Sequence, residues 1–129
     1  MNSDDTTADL RIADAWGDAL NDHLDGRAVD ELLLEVDDGT VVPAMDPEWF
    51  FRTEPDWEPE ERRLIEMVTH GPVLDLGAGA GRVALHLQER GLRVTAVESS
   101  AGAARVCRRR GVRDVRVQDL NSPPADQAW

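Results

Sequence analysis

Apolar residues recur at Leu10, Ala13, Trp16, Leu20 and Leu24. This spacing of three to four predicts a helix over 8–24 with one apolar stripe, ended by Gly26. The run Leu32-Leu33-Leu34-Glu35-Val36, then Asp37-Asp38-Gly39, then Thr40-Val41-Val42 predicts a hairpin around an Asp-Gly turn. Residues 45–59 hold three prolines together with Trp49, Phe50, Phe51 and Trp57. Such a segment forms no long regular element, but it can cover an apolar cleft. Glu58-Pro59-Glu60-Glu61 then opens a helix with proline and acidic residues in its first turn. Leu64, Ile65, Met67 and Val68 give that helix an apolar side, and Gly71-Pro72 stops it.

Beyond Pro72 strand-like and helix-like runs alternate. A short buried strand is expected over Val73–Leu76, a helix over 80–90, a strand over 92–97, a helix over 101–110 and a strand over 112–117. This β-α-β-α-β order implies a parallel sheet covered on both faces.

The chain has 129 residues with a net charge of −12, and the charge is unevenly spread. Residues 1–61 hold 19 acidic side chains and 3 arginines, whereas residues 62–129 hold 7 and 11. The acidic half repels phosphates, which disfavours nucleic acid as a partner. No apolar run approaches the roughly 18 residues of a membrane span, and the start lacks the basic flank of a signal peptide, so a cytoplasmic, membrane-free protein is expected. All 14 basic residues are arginine. Without lysine, a phosphate loop ending in Gly-Lys-Ser/Thr and Schiff-base chemistry are excluded. The single cysteine, Cys107, and three scattered histidines give no metal-ligand spacing.

The chemistry concentrates in Val73-Leu74-Asp75-Leu76-Gly77-Ala78-Gly79-Ala80-Gly81-Arg82. Alternate glycines directly after a strand permit a tight turn and a close backbone approach to a ligand, and the next helix turns its free N–H groups toward it. A dinucleotide site would place the third glycine where Arg82 stands. Glu98 closes the second strand and Asp119 follows the third, so both lie at the loop's edge of the sheet. There Glu98 can accept from two ribose hydroxyls and Asp119 from an exocyclic amine. A rim of Asp75, Glu98 and Asp119 tolerates a cationic ligand better than a pyrophosphate.

Over Val73–Leu120 the chain resembles the class I S-adenosylmethionine-dependent methyltransferases. Val73–Gly81 is similar to their first motif, Glu98 to the acidic end of their second strand, and Asp119 to the acid after their third. The resemblance implies an α/β, Rossmann-like fold: a partial doubly wound parallel sheet of three strands, preceded by a helix and hairpin extension. It implies S-adenosyl-L-methionine as cofactor, bound by Asp75, Gly77, Ala78, Gly79, Gly81, Glu98, Ser99, Asp119 and Leu120. In this reading the glycines lie against the methionine portion and sugar, and Asp75 helps to hold the ammonium. Glu98 clasps the ribose, while Asp119 and Leu120 frame the adenine.

Residues 1–57 are expected to form the acidic extension and residues 58–129 a partial cofactor domain. Its family sheet has seven strands, of which three are legible, so a truncated copy or one completed by another chain is expected. The methyl acceptor is expected to be a small molecule. No catalytic base is identified; His70 and His86 qualify by chemistry alone. Two other readings are a non-catalytic cofactor-binding or interaction fragment and an NAD-dependent oxidoreductase, which Glu98 also suits. Taken singly, Asp119 reads as a turn opener, Arg108–Arg110 as a helix terminus, Cys107 as a buried filler and the aromatic residues of 49–57 as packing groups.

Overall fold

Helix α1 spans Ala15–Leu24 and buries Gly17, Ala19 and Leu20. The computed structural model describes residues 14–122 and 124–126. Leu10 and Ala13, the first two positions of the stripe that predicts this helix, therefore lie outside the described residues. The hairpin forms as β1 (Leu33–Glu35) and β2 (Val41–Pro43), antiparallel, with Leu34 opposite Val42. Gly39 takes φ +84° in the connecting turn, the left-handed region that glycine enters at little cost. Both strands are exposed along their length.

The proline-rich segment folds into two short 3-10 turns, Pro47–Phe51 and Glu54–Asp56. Asp46 caps the first by accepting from the Glu48 N–H at 2.9 Å. Helix α2 is Pro59–Glu66, with proline in its first turn and Glu60 and Glu61 beside it. Its apolar side is narrower than the sequence predicts. Ile65 is buried, whereas Leu64 and Met67 are 67% and 75% exposed. The helix lies against the rest of the fold through a single line of residues, and the pattern gives the direction of a side chain but not the depth of what faces it.

The second half is β3 (Val73–Leu76), α3 (Arg82–Glu89), β4 (Val94–Glu98), α4 (Ala101–Arg110) and β5 (Asp114–Val117). The strands are parallel in the order β3-β4-β5, with Asp75 beside Ala96 and Glu98 beside Val117. All five residues of β4 are buried. The expectation of a buried β3 needs correction: Val73, Leu74 and Asp75 are half-buried and Leu76 is 48% exposed. Among the described residues β3 has a partner on one edge only, so its apolar residues are half covered. Helix α3 begins at Arg82, later than the pattern alone indicates, because Gly81 takes φ +82° and serves as its cap.

Two buried clusters lie around the sheet. Trp57, Ile65, Ala84, Leu87, Val94, Ala96, Cys107 and Val112 belong to one. Leu20, Ala80, Ala103 and Val106 form the other, with Trp16, Leu24, Phe50 and Phe51 packed against it. Helix α1 is thus seated on α4. Gly17 and Gly102 touch backbone to backbone, since a Cβ on Gly102 would stand 2.8 Å from the Gly17 Cα. No helix among the described residues is long and apolar enough to cross a membrane.

Candidate cofactor site at the glycine loop

The loop that leaves β3 is sewn to β4 by its first two residues. The N–H groups of Gly77 and Ala78 both donate to the Val97 carbonyl, at 2.8 and 3.2 Å. The chain must then turn within a few residues into α3, and Gly77, Gly79 and Gly81 do so at φ +74°, +59° and +82°. Other residues meet a steric penalty of about 1–2 kcal/mol each in this region. Gly81 also meets a packing limit, because a Cβ there would lie 3.0 Å from Val112 Cγ2 and 3.2 Å from Cys107 Sγ. The Cys107 thiol donates to the Gly79 carbonyl at 3.1 Å, and Arg110 donates to the Ala80 carbonyl at 2.7 Å. The underside of the loop is thereby fixed by α4.

Glu98, the last residue of β4, is buried, and each of its carboxylate oxygens is held by a backbone donor. Oε1 accepts from the Gly79 N–H at 3.2 Å and Oε2 from the Ser100 N–H at 2.8 Å. A carboxylate has about four acceptor positions, so two remain for hydroxyl donors of a ligand. Asp75 reaches the same end of the sheet. Its Oδ2 is buried and has no hydrogen-bond partner among the described residues. Burial pushes its carboxyl above the ordinary carboxylate value; the Arg82 guanidinium and the Ala84 N–H pull it partly back, and Glu98 pushes it up again. An acceptor left in this state is matched by a cationic or N–H donor on a ligand.

Arg82 stands in the position that breaks the dinucleotide spacing. Its guanidinium pairs with Glu61 of α2 and lies 4.2 Å from the Trp49 ring centroid and 5.4 Å from that of Trp57. It is thus a bracket between the helix and the aromatic segment. That segment closes over the loop: Phe50 Cδ1 lies 3.5 Å from where a Cβ on Gly79 would stand, and Trp16 meets Phe50 edge-on at 4.6 Å. Arg110 covers the Phe51 ring at 4.8 Å.

Of the residues singled out in the sequence, Asp75, Gly77, Ala78, Gly79, Gly81 and Glu98 come together at this end of the sheet. Leu120 joins them, with Cδ1 3.7 Å from the Cβ position of Gly77. Ser99 is exposed beside Glu98. Asp119 is exposed too, and its Oδ1 accepts from the Asn121 N–H at 2.9 Å, so in this structure it opens a turn. His86 packs on Trp57, 5.1 Å between centroids, and His70 is exposed next to Thr69. A cleft of about 300 Å³ that includes Arg52, Trp57, Arg82, His86 and Arg110 has none of the loop glycines in its wall. Sequence reasoning missed Asp14 and Ser100, which brace this end of the molecule. The Ser100 hydroxyl accepts from the Ala103 N–H at 3.0 Å. The serine before the alanine-rich helix is a legible cap, whereas nothing in the local pattern marks Asp14.

Residues 73–128 match the family model described as a methyltransferase domain. A comparison with curated proteins gives no match. Among solved structures, the fold is similar to a SAM-dependent methyltransferase from Bacteroides fragilis in complex with S-adenosyl-L-homocysteine, with a TM-score of 0.66 and 30% identity. The alignment covers 81% of this chain, more than residues 73–128 alone amount to, so it extends into the preceding segment. It covers 42% of that protein, so the chain spans less than half of its length. Profile and fold agree: residues 73–128 are similar to a methyltransferase domain, within a fold similar to that of a SAM-dependent methyltransferase.

Proposed function

We propose that the glycine loop binds S-adenosyl-L-methionine and that the domain transfers its methyl group to a small-molecule acceptor. One observation carries the reading: the buried Glu98 carboxylate is tied to the Gly79 N–H at 3.2 Å, which sets a carboxylate acceptor directly beside the three left-handed glycines. When bound, the cofactor supplies a sulfonium methyl open to in-line displacement. The residues of this chain bind and orient. Gly77, Gly79 and Gly81 allow the backbone to approach the methionine portion and sugar, with Ala78 between them. Glu98 accepts from the ribose hydroxyls, with Ser99 beside it, and the orphaned Asp75 oxygen takes the ammonium. Leu120 offers an apolar surface to the adenine, and Asp119 an acceptor for its amine once it exchanges the Asn121 contact. Phe50 keeps water from the loop. In this reading residues 58–129 hold the cofactor and residues 1–57 form the extension against them. The small-molecule acceptor is supported by the excess of acidic residues in 1–61, which repels phosphate-bearing partners.

Binding and turnover are tested separately. In calorimetric titrations with S-adenosylhomocysteine and with NAD, the first ligand is expected to bind and the second not. Glu98→Gln is expected to weaken binding about tenfold, the loss of one or two charge-assisted hydrogen bonds. Binding of NAD alone, or unchanged affinity in Glu98→Gln, overturns the reading. Transfer of a labelled methyl group to a panel of amine, hydroxyl and thiol acceptors then separates an active domain from the second reading, a non-catalytic cofactor-binding or interaction fragment.

A further inference from the structure

The first turn of α1 lies far along the chain from the glycine loop, yet it reaches both ends of the Gly79–Glu98 hydrogen bond. On the Glu98 side, the Ser100 hydroxyl donates to Asp14 Oδ1, and the Gly102 N–H donates to Asp14 Oδ2 at 2.9 Å. Ser100 in turn gives its N–H to Glu98 Oε2 at 2.8 Å. On the Gly79 side, Trp16 sets Phe50 edge-on at 4.6 Å, and Phe50 lies on Gly79. The seat leaves no room for another arrangement, because Gly17 and Gly102 are in backbone contact and a Cβ on Gly17 would stand 2.6 Å from both Asp14 Oδ1 and Ser100 Oγ. Asn21 adds a second tie, donating to the carbonyls of Gly17 and Gly102, each at 2.9 Å.

We infer that Asp14 is a positioning residue for the cofactor: through Ser100 it fixes the turn that aims the Glu98 carboxylate at the ribose. Asp14 itself touches no ligand. It satisfies the free N–H of Gly102 at the start of α4 and orients the Ser100 hydroxyl, so the Glu98-Ser99-Ser100 backbone holds one conformation before the ligand arrives. Pre-set acceptors bind without the cost of ordering them. The inference rests on the assignment of Glu98 to the ribose.

The test is a double-mutant cycle on the full chain with S-adenosylhomocysteine as the probe. Asp14→Asn in the wild-type background is expected to raise the Kd five- to tenfold. In a Glu98→Gln background the same change is expected to shift it less than twofold, because the group being aimed is gone. Ser100→Ala, which removes the hydroxyl but leaves the Gly102 contact to Asp14, is expected to behave alike and serves where Asp14→Asn does not fold. An unchanged Kd in a folded variant overturns the inference, as does an equal loss in both backgrounds, the signature of a merely structural role. Failure of the wild-type chain to bind the probe is a different result, and it removes the ribose assignment itself.

Discussion

The thiol of Cys107 donates to the carbonyl of Gly79 at 3.1 Å, joining the middle of α4 to the middle of the glycine loop. Burial pushes this thiol up to about 12, the negative charges of Asp75 and Glu98 push the same way, and Arg110 and Arg108 offset them only in part. The thiolate is the reactive form. An aromatic disulfide reagent at pH 8 is therefore expected to leave the native chain untouched and to react at once in denaturant. Cys107→Ala is expected to cost about 1–2 kcal/mol in a urea titration, from one hydrogen bond and a small void.

Gly77 and Gly81 share a left-handed backbone but differ in their surroundings, and paired alanine variants separate the two effects. Gly77→Ala would place its Cβ 3.7 Å from Leu120, an ordinary contact, so only the backbone penalty of about 1–2 kcal/mol is expected. Gly81→Ala adds the collision with Val112 and Cys107, an overpacking cost of about 1–3 kcal/mol more. Equal denaturation midpoints for the two variants would contradict the close seat of Gly81 on Val112 and Cys107.

Asp75 carries the opposite sign of effect. Its pKa in the folded chain is raised by burial, so between the ordinary and the raised value the native state binds more protons than the unfolded chain. Stability is greatest below the ordinary carboxylate pKa, falls as pH rises through the raised folded value, and is constant above it. Asp75→Asn is expected to stabilise the ligand-free chain at pH 7, because it removes a charge that burial disfavours. That gain fades as the pH is lowered toward 4, and the variant binds S-adenosylhomocysteine more weakly. Melting curves across this range, paired with titrations, show whether the strain and the affinity share one oxygen.

Arg82 supplies a charge to Glu61 and a flat cation to Trp49. Arg82→Lys keeps the charge and loses the stacked plane, for an expected cost of about 1 kcal/mol; Arg82→Gln loses both, for about 2–3 kcal/mol. The second variant also removes the cation that holds Asp75 down, so its melting temperature is expected to fall further as pH rises from 4 to 7. An equal fall in both variants would mean that the charge contributes little beside the ring contact.

The sheet and its loop were legible because their signals are local. Three short apolar runs, two helices between them, glycines on alternate positions and an acid at the end of β4 each lie within a few residues of one another, and the strand register carries Glu98 to the loop. Ends of elements shifted where a cap decided them, as Gly81 does for α3. The seat of α1 on α4 was not legible. No local pattern marks Gly17 or Gly102, whose small size serves a contact between segments far apart in the chain. Exposure was hidden for the same reason: the pattern cannot tell Ile65, which is buried, from Leu64, which is not. Asp119 shows the remaining gap, since its side chain takes the turn role available within its own neighbours.

The tie between Asp14 and Gly102 closes a span of 88 residues, the farthest separation that any feature of the site demands. Closing so long a loop costs conformational entropy that local contacts do not repay. The order of assembly this predicts is that β3 to β5 with their helices condense first and α1 docks onto a finished α4. The reverse opening needs only that last step, so amide hydrogens of α1 are set to exchange with solvent ahead of those in β4, and Glu98 loses its brace while the sheet still stands.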